Sequence, residues 1–342
     1  MPTADALTWQ SVRDVANGYA MSTREILRAL DGEGIRVAFQ QVLEPSPRTN
    51  VAVTYAPPSY FADNRGRRRV GFTMQEVDGF PADWVRAANT LDEIWTPTEF
   101  NRAALVAGGV TRPVHIVPLG VDPEQFHPGA PAYRNPRGEY VFLTSLEWGD
   151  RKNPELLLQT FNRTFRREEP VLLVCKINHR DAGIHVPNTI RALGLDPRGG
   201  RAYFIYNREL PYEQLASLYC SADCFVSTSR GEGWGMPLLE AMACGLPAIA
   251  TDWSGHTAFL DPADTYPLRV RALVPAPRTC AYYDGFRWAE PDEEHLASLL
   301  RHVYEHRDEA RERGLRASAR VRAQFTWGHT AKKIVARLSF GA

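Results

Sequence analysis

Residues 231–245, GEGWGMPLLEAMACG, combine a glycine-rich start with an almost wholly apolar helical pattern. Pro237 suits the first turn of a helix, because that position does not need the N–H that proline lacks, and Gly245 suits the helix end. Apolar side chains cover nearly all faces of the segment between them: Leu238, Leu239, Met242 and Ala243. The stretch therefore predicts a short, buried helix that follows a loop with few side chains.

Two carboxylates, Glu232 and Glu240, lie in this stretch with seven residues between them. A buried carboxylate costs several kcal/mol unless something pairs with it. Glu232 lies on the loop and Glu240 one turn into the helix, so we do not expect a shared acid/base pair. Two sugar hydroxyls would suit Glu240. The alternative is that Glu232 caps a turn and Glu240 bonds nearby backbone.

The glycine loop follows a strand-like run at 224–229 and precedes another at 247–252. Ligands bind at the carboxyl ends of the strands in open parallel sheets. The glycines at 231, 233 and 235 let main-chain N–H groups approach a ligand, and the start of a helix favours a phosphate. The segment therefore predicts a site for a phosphate-containing ligand.

Short β-branched or aromatic runs alternate with longer helical patterns along the chain, which is typical of α/β folds with parallel sheets. A segment rich in Pro and Gly interrupts the alternation before residue 139. We predict an acceptor-binding unit at 1–125, a linker at 126–138 and a donor-binding unit at 139–325. A final helix at 326–342 is expected to pack back on the first unit.

The bulk composition excludes several classes of function. Forty basic residues balance forty acidic ones, so no global field attracts nucleic acid. Five cysteines suggest free thiols in a reducing compartment. The first residues lack a signal-peptide pattern and no apolar run approaches ~18 residues, which predicts a soluble, cytoplasmic protein.

One basic run stands out, NRGRRRV at 64–70. We interpret it as a solvated loop. The alternative is a weak peripheral contact with an anionic membrane or an acidic acceptor, made through four side chains: Arg65, Arg67, Arg68 and Arg69.

The stretch EGWGMPLLEAMACGLPAIAT resembles the E-x7-E signature of family 4 glycosyltransferases, retaining sugar-nucleotide enzymes of the GT-B fold. GFTMQEVD (71–78), DEIWTPTEFN (92–101) and VPLGVDPEQFHP (117–128) are also similar to segments of that family, and the resemblance covers about residues 71–291. It implies two Rossmann-like domains whose parallel sheets face each other across a cleft, with C-terminal helices that bridge them.

The resemblance also implies roles for particular residues. Glu232 matches the glutamate that contacts the donor sugar near the reacting centre, and Glu240 matches the one that holds the ribose hydroxyls. Leu238 matches the helix start beside the diphosphate. The loop whose amides touch the sugar corresponds to Gly233, Trp234, Gly235 and Met236.

The family usually supplies an arginine and a lysine after the first strand of its second domain. SLEWGDRKNPELL has Lys152 at the lysine position and Glu147 at the arginine position, so Arg151 is the substitute. We expect Lys152 and Arg151 to neutralise the departing diphosphate without a metal ion; the alternative is a solvated pair before a helix. The chain also lacks the D-x-D motif of metal-dependent relatives with another fold.

Two further positions depart from the family pattern. The family commonly places a first-domain histidine against the donor sugar, but no histidine precedes His115. Glu76 or Asp78 is the candidate to face the cleft instead; the alternative is a surface carboxylate. The family's paired N-terminal glycines are reduced to Gly18, which allows close approach of a diphosphate or acceptor. We interpret His256 as a loop residue rather than a catalytic base.

Together these patterns predict a metal-independent, retaining glycosyltransferase without a cofactor. It would move a sugar from a UDP- or GDP-linked donor to a hydroxyl acceptor such as a glycan, a lipid-linked sugar or a secondary metabolite. The alternative, suggested by Glu147 and the missing histidine, is a catalytically silent, sugar-nucleotide-binding subunit of a glycan synthase.

Overall fold

The computed structural model describes residues 7–15, 17–133, 135, 137–179 and 183–339. The first unit contains a six-stranded parallel sheet in the order β2-β1-β3-β4-β5-β6. Its strands are β1 (Leu7–Ser11), β2 (Val37–Gln41), β3 (Val51–Tyr55), β4 (Arg68–Phe72), β5 (Glu93–Thr96) and β6 (Val114–Ile116). The accompanying helices are α1 (Gly18–Gly32), α2 (Ala82–Asn89) and α3 (Glu99–Ala107).

The second unit contains another six-stranded parallel sheet, in the order β12-β11-β10-β7-β8-β9. Its strands are β7 (Tyr140–Glu147), β8 (Val171–Asn178), β9 (Arg201–Tyr206), β10 (Cys224–Ser227), β11 (Ala248–Thr251) and β12 (Tyr266–Leu268). The helices between them are α4 (Pro154–Thr164), α5 (Val186–Ala192), α6 (Tyr212–Cys220) and α7 (Met236–Ala243). The two parallel sheets confirm the predicted α/β class.

Three helices end the described chain: α8 (Glu293–Glu305), α9 (Arg307–Gln324) and α10 (Trp327–Ser339). Helix α10 packs against α1 of the first unit. The turn before it is fixed there, because the Val121 N–H donates to the Phe325 carbonyl over 2.9 Å. The predicted unit and linker boundaries stay predictions. No helix in the described ranges has the length and apolarity needed to cross a bilayer.

Strand β4 corrects the interpretation of the basic run at 64–70 as a loop. Arg68 and Arg69 lie in this strand, between β3 and β5. Val70 and Phe72 are fully buried, and Arg68 pairs with Glu93 over 2.7 Å. The burial of the apolar side chains outweighs the cost of placing two arginines at the strand's start.

The four arginines therefore do not form one basic patch. Arg69 pairs with Asp92 over 3.6 Å, so it and Arg68 are both engaged at the sheet. Only Arg65 and Arg67 are exposed. A membrane contact through all four side chains, as the sequence suggested, does not fit this arrangement.

A two-stranded antiparallel hairpin, absent from our sequence-based expectations, crosses from the second unit to the first. It consists of β13 (Val270–Pro275) and β14 (Arg287–Pro291). Trp288 and Ala276 of the hairpin form a buried cluster with Val77 of the first unit. Tyr282 stacks near Trp84 on α2, with ring centroids 4.7 Å apart. The hairpin thus connects the two units beside the cleft.

Glu93 joins β5 to the C-terminal helix through a buried ion cluster. Its carboxylate is paired with Arg68 at 2.7 Å and with Arg337 of α10 at 2.9 Å, and the His115 ring lies 3.3 Å from it. Burial and the Arg337 charge lower the pKa of His115. The neutral imidazole accepts from Arg337 over 2.8 Å.

We predict that Glu93→Gln lowers the free energy of unfolding by about 2 kcal/mol, because two partly buried arginines lose their counter-charge. Urea unfolding at pH 7 measures this. The control is Glu99→Gln, which removes an exposed pair with Arg102 and should cost less than about 1 kcal/mol. Equal losses for both variants would contradict a stabilising role for the Glu93 cluster.

Candidate active site

The glycine loop lies at the carboxyl end of β10 and leads into α7, as the sequence predicts. Gly235 is the N-cap of α7 and has φ +102°, a left-handed conformation that side chains rarely adopt. A Cβ there would lie 2.5 Å from the His256 ring. Glycine is therefore required for both the turn and the close approach of the imidazole.

Glu232 is buried in a cluster of charges at this loop. Its carboxylate lies 2.5 Å from the Lys152 ammonium and 3.1 Å from the Arg151 guanidinium. Both cations come from the turn between β7 and α4, so the ends of β7 and β10 meet here. The Glu232 N–H donates to the Ser254 hydroxyl over 2.8 Å. The structure thus brings together all three residues for which the sequence predicted a catalytic role.

Burial alone would raise the pKa of Glu232, but the charges of Lys152 and Arg151 outweigh burial and lower it strongly. Burial lowers the pKa of His256, and the Glu232 charge offsets this only in part. Burial also lowers the pKa of Lys152, and the Glu232 charge opposes this. The centre therefore holds an ionised glutamate beside Arg151 and Lys152, with a neutral imidazole near pH 7.

Glu76 brings a second carboxylate to Arg151 from the first unit. The Arg151 to Glu76 distance is 3.9 Å, and the Tyr283 hydroxyl of the hairpin donates to Glu76 over 3.3 Å. Burial alone would lower the pKa of Arg151, but Glu76 and Glu232 outweigh burial and raise it. Glu76 thus faces the cleft, one of two alternatives that the sequence left open.

Asp78, the other first-unit candidate, lies elsewhere. Its carboxylate accepts from the side chain of Arg287 over 2.8 Å and from the Arg287 N–H over 2.7 Å. The Asp78 N–H donates to the Arg287 carbonyl over 3.0 Å. Asp78 therefore fastens the start of β14 to the first unit, whereas Glu76 contacts the cluster around Glu232.

Glu240 is buried on α7, away from the cations that hold Glu232. Within the described residues its hydrogen-bond donor is the Tyr219 hydroxyl, at 2.9 Å. Burial raises the pKa of Glu240 to about 7, although the Tyr219 hydrogen bond and the Lys176 charge oppose this. A carboxylate with one donor keeps acceptor capacity for further hydroxyl groups.

The residues that the sequence predicted to bind the donor line two separate small pockets. One contains Glu232, Lys152, Gly235, Leu238 and His256, and the other contains Glu240 and Met236 with residues of the first unit. Each has about 10 Å³ of free volume, which is room for one water molecule. A Cβ on Gly231 would lie 1.9 Å from the Glu76 carbonyl. The first unit is therefore closed tightly over the loop.

Comparison with known proteins adds independent information. A family model described as glycosyl transferase-like matches residues 167–336, about half of the chain. Mannosylfructose-phosphate synthase of Agrobacterium fabrum is 27% identical over 184 residues, which cover 47% of this chain and 39% of that protein. D-inositol 3-phosphate glycosyltransferase of Nocardia farcinica is 27% identical over 230 residues, 65% of this chain and 46% of that protein. The chain thus matches less than half the length of these relatives.

Two solved structures share the fold over nearly the whole chain. Sucrose-phosphate synthase from Thermosynechococcus elongatus has a TM-score of 0.76 at 16% identity, covering 98% of this chain and 99% of that one. Anabaena HepE, solved with UDP and glucose, has a TM-score of 0.72 at 13% identity and covers 98% and 100%. The chain belongs to the GT-B glycosyltransferases of family 4 type.

Three further residues that the sequence predicted to bind the donor substrate of this family 4 type glycosyltransferase have different surroundings. Trp234 is buried against Phe259, with ring centroids 5.2 Å apart, so its side chain belongs to the core. Gly233 faces the Met74 side chain of the first unit. Gly18 is exposed at the first residue of α1, and a Cβ there would meet nothing within 4 Å.

Sequence reasoning placed His256 in a loop without its contact to the glycine loop, and it missed Tyr283, Ser254 and Tyr219. His256 lies in the 3-10 turn Ser254–Ala258, which follows β11 and packs against the glycine loop. Tyr283 reaches Glu76 only because the hairpin folds across the units. No local pattern marks these residues, since each acts through a contact between distant segments. Among the described residues, no group of three or more His, Cys, Asp or Glu side chains is placed to hold a metal ion.

The raised pKa of Glu240 predicts a pH-dependent stability. Protonation of Glu240 stabilises the folded state fully below its unfolded pKa of 4.5, and this contribution is lost as the pH rises through about 7. We therefore expect Glu240→Gln to gain stability relative to the native chain between pH 5 and pH 8, by up to roughly 3 kcal/mol.

Urea unfolding of both chains at several pH values measures this difference. Glu213→Gln, an exposed substitution on the neighbouring helix α6, controls for a general effect of removing a carboxylate. Its stability should stay at a constant offset from that of the native chain. If the difference in unfolding free energy between Glu240→Gln and the native chain also stays constant with pH, ionisation of Glu240 does not destabilise the folded protein.

Proposed function

We propose that this protein is a retaining glycosyltransferase that moves a sugar from a UDP- or GDP-linked donor to a hydroxyl group of an acceptor, without a metal ion. The observation that carries the proposal is the pair of partly buried cations, Lys152 and Arg151, beside the start of α7. They are placed to stabilise an anionic group at the carboxyl ends of β7 and β10.

The charge balance of the cluster supports this role. In the transfer step, the bond between the anomeric carbon and the phosphate oxygen breaks, and its electron pair stays on the departing diphosphate. Fixed cations that are already positioned stabilise this charge without rearrangement. Glu232 neutralises Lys152 and Arg151 in this structure, and a bound diphosphate would share them. The Glu232 carboxylate would then be available to the hydroxyl groups of the donor sugar.

We further propose that the donor extends from this cluster to Glu240, where the ribose hydroxyls would use the free acceptor capacity of the carboxylate. The two pockets, each of about 10 Å³, are far smaller than a nucleotide sugar. Binding therefore requires the units to separate, and closure afterwards would exclude water, which otherwise hydrolyses the donor.

The names of relatives support a nucleotide-sugar donor. The similar curated proteins include a mannosylfructose-phosphate synthase and a D-inositol 3-phosphate glycosyltransferase, and Anabaena HepE was solved with UDP and glucose. We also propose a cytoplasmic location, where nucleotide sugars occur. The five free cysteines fit a reducing compartment.

We expect UDP or GDP to raise the melting temperature of the protein, since a ligand that binds only the folded state stabilises it by about 2.7 kcal/mol at a hundredfold excess over its Kd. Differential scanning fluorimetry measures the shift. Lys152→Ala should remove most of it because the phosphate loses a buried cation, whereas Lys332→Ala on the exposed face of α10 should not. If neither nucleotide shifts the melting temperature, the proposed donor site is wrong.

Glu232→Gln should lower the release of nucleoside diphosphate from a UDP- or GDP-sugar by about a hundredfold, because an amide cannot hold the same charge beside the reacting sugar. Chromatography of the released nucleotide measures the rate, with Glu99→Gln as the control. The anomeric configuration of the product, read by NMR, tests retention independently. If Glu232→Gln releases nucleoside diphosphate at the native rate, the reaction does not occur at this site. A product with inverted anomeric configuration would exclude a retaining mechanism.

A further inference from the structure

Two free thiols meet on the side of the second unit that faces away from the charge cluster. Cys220 ends α6 and Cys244 follows α7, and these two helices pack against each other. The Cys220 thiol donates to the His127 carbonyl over 3.4 Å, and the Cys244 thiol is hydrogen-bonded to that of Cys220 and to the backbone of His127. We propose that Cys220 and Cys244 form a reversible redox pair, which a hydroperoxide converts into a disulfide.

A cavity of about 530 Å³ gives a small oxidant access to the pair. Cys220 and Cys244 both line it, together with Asp223 just before β10 and Pro247 just before β11. The cavity is therefore at the amino ends of these strands, whereas the pocket of Glu232 lies at the carboxyl end of β10. Neither thiol lines the two pockets that hold the predicted donor residues. A cavity large enough for an organic ligand readily admits hydrogen peroxide.

The two sulfurs are suited to different roles. Cys220 is half-buried, and its hydrogen bond with Cys244 lowers the pKa of its thiol although burial opposes this. Cys244 is 4% exposed, and the same hydrogen bond together with burial raises the pKa of its thiol. Since the thiolate is the nucleophile, Cys220 is the thiol that the peroxide oxidises first, and Cys244 reacts second.

Hydrogen peroxide supplies the oxidising equivalents of the reaction. The Cys220 thiolate attacks one peroxide oxygen, the O–O bond breaks, and the products are a sulfenic acid and hydroxide, which takes up the thiol proton to become water. The Cys244 sulfur then attacks the Cys220 sulfur, and the sulfenic hydroxyl leaves with the Cys244 proton as a second water. Two thiols and one peroxide thus give one disulfide and two waters. A reducing compartment restores the thiols by exchange, so the disulfide is transient.

The disulfide would enclose the predicted donor segment. Residues 220–244 include β10, the glycine loop with Glu232 and all of α7 with Glu240. The Cys244 N–H donates to the Glu240 carbonyl over 3.0 Å, so the second thiol is attached to the backbone of this glutamate. Oxidation at the amino ends of the strands can therefore alter the position of a residue that we propose to bind ribose.

Bond formation moves α6 relative to α7. A disulfide bond is shorter than the contact between two hydrogen-bonded sulfurs, so the ends of the two helices must approach each other. The end of α7 is held by α9, because the Ser318 hydroxyl donates to the Ala243 carbonyl over 2.6 Å. The end of α6 therefore moves, and Tyr219 moves with it.

The movement of Tyr219 affects Glu240 directly. The Tyr219 hydroxyl donates to the Glu240 carboxylate over 2.9 Å, and this hydrogen bond opposes the rise that burial causes in the pKa of Glu240. Without the donor, the carboxylate is less firmly oriented and more easily protonated. We expect the oxidised protein to bind a nucleotide more weakly than the reduced one; this effect rests on the ribose role proposed above.

The test treats the full chain with hydrogen peroxide and maps its cysteines by mass spectrometry of unreduced peptides. We expect a cross-linked peptide that joins Cys220 to Cys244, has lost two hydrogen atoms and disappears with dithiothreitol. Cys280→Ser is the matched control: it removes a half-buried thiol from the hairpin loop, and the cross-link should form as in the native chain. The proposal is overturned if this cross-link does not form, or if the other cysteines are oxidised before Cys220 and Cys244.

Single-thiol variants test the two roles. In Cys244→Ala the sulfenic acid has no second thiol to react with, so dimedone should label Cys220. In Cys220→Ser, which keeps a hydroxyl donor beside His127, dimedone should label Cys244 far less. Both variants are compared with the native chain by circular dichroism before labelling. Equal labelling of the two would contradict the assignment of Cys220 as the nucleophile.

Nucleotide binding separates this inference from the proposed function. Oxidation should raise the Kd of the native chain for UDP or GDP about fivefold, as expected for the loss of one hydrogen bond, and dithiothreitol should restore it. Cys220→Ser should have the same Kd before and after peroxide. If the reduced native chain binds neither nucleotide, the proposed function fails, and the peptide map still decides whether the redox pair exists. If the cross-link forms and the Kd is unchanged, the effect on Glu240 is wrong and the redox pair alone stands.

Discussion

The rest of the site depends on the buried contact of Glu232 with Lys152 and Arg151. Two adjacent cations at the end of β7 would be costly to bury without a counter-charge, and the loop after β10 supplies it. The same contact fixes the loop that leads into α7, because Arg151 also donates to the Gly231 carbonyl over 2.8 Å. Backbone conformation and charge balance thus depend on one another, so the residues of the proposed anion site are already held in place without a ligand.

Glu232 and Glu240 show that the surroundings give identical side chains opposite pKa shifts. Both are buried, at 7% and 6% exposure. Glu232 faces two cations, which lower its pKa, whereas Glu240 has one hydroxyl donor and a distant ammonium, so burial raises its pKa to about 7. One residue is suited to a charge-balanced reaction centre. The other holds an incompletely satisfied carboxylate, which suits the binding of hydroxyl groups.

The hairpin β13–β14 decides how the two units meet. Its residues contact the first unit in three ways: Arg287 forms an ion pair with Asp78, Tyr283 donates a hydrogen bond to Glu76, and Trp288 packs against Val77. All three contacts cross the boundary between the units. Separation of the units, which the proposed donor binding requires, must therefore involve either release of these contacts or movement of the hairpin with the first unit.

The sequence by itself determined the α/β class, the short apolar helix with its glycine loop, and the candidacy of Glu232, Lys152 and Arg151. The class and the helix depend on periodicity and on spacing along the chain, whereas the roles of Lys152 and Arg151 were implied by the resemblance to the family. The sequence did not reveal β4, because a run of arginines is typical of a loop. In the structure Glu93 and Asp92 pair with Arg68 and Arg69 and offset their charges. Only the tertiary structure placed Glu76 beside Arg151, Asp78 beside Arg287, His256 against Gly235 and the hairpin across both units. Each of those outcomes depends on contacts between residues far apart in the chain, and such contacts leave no periodic pattern in the sequence.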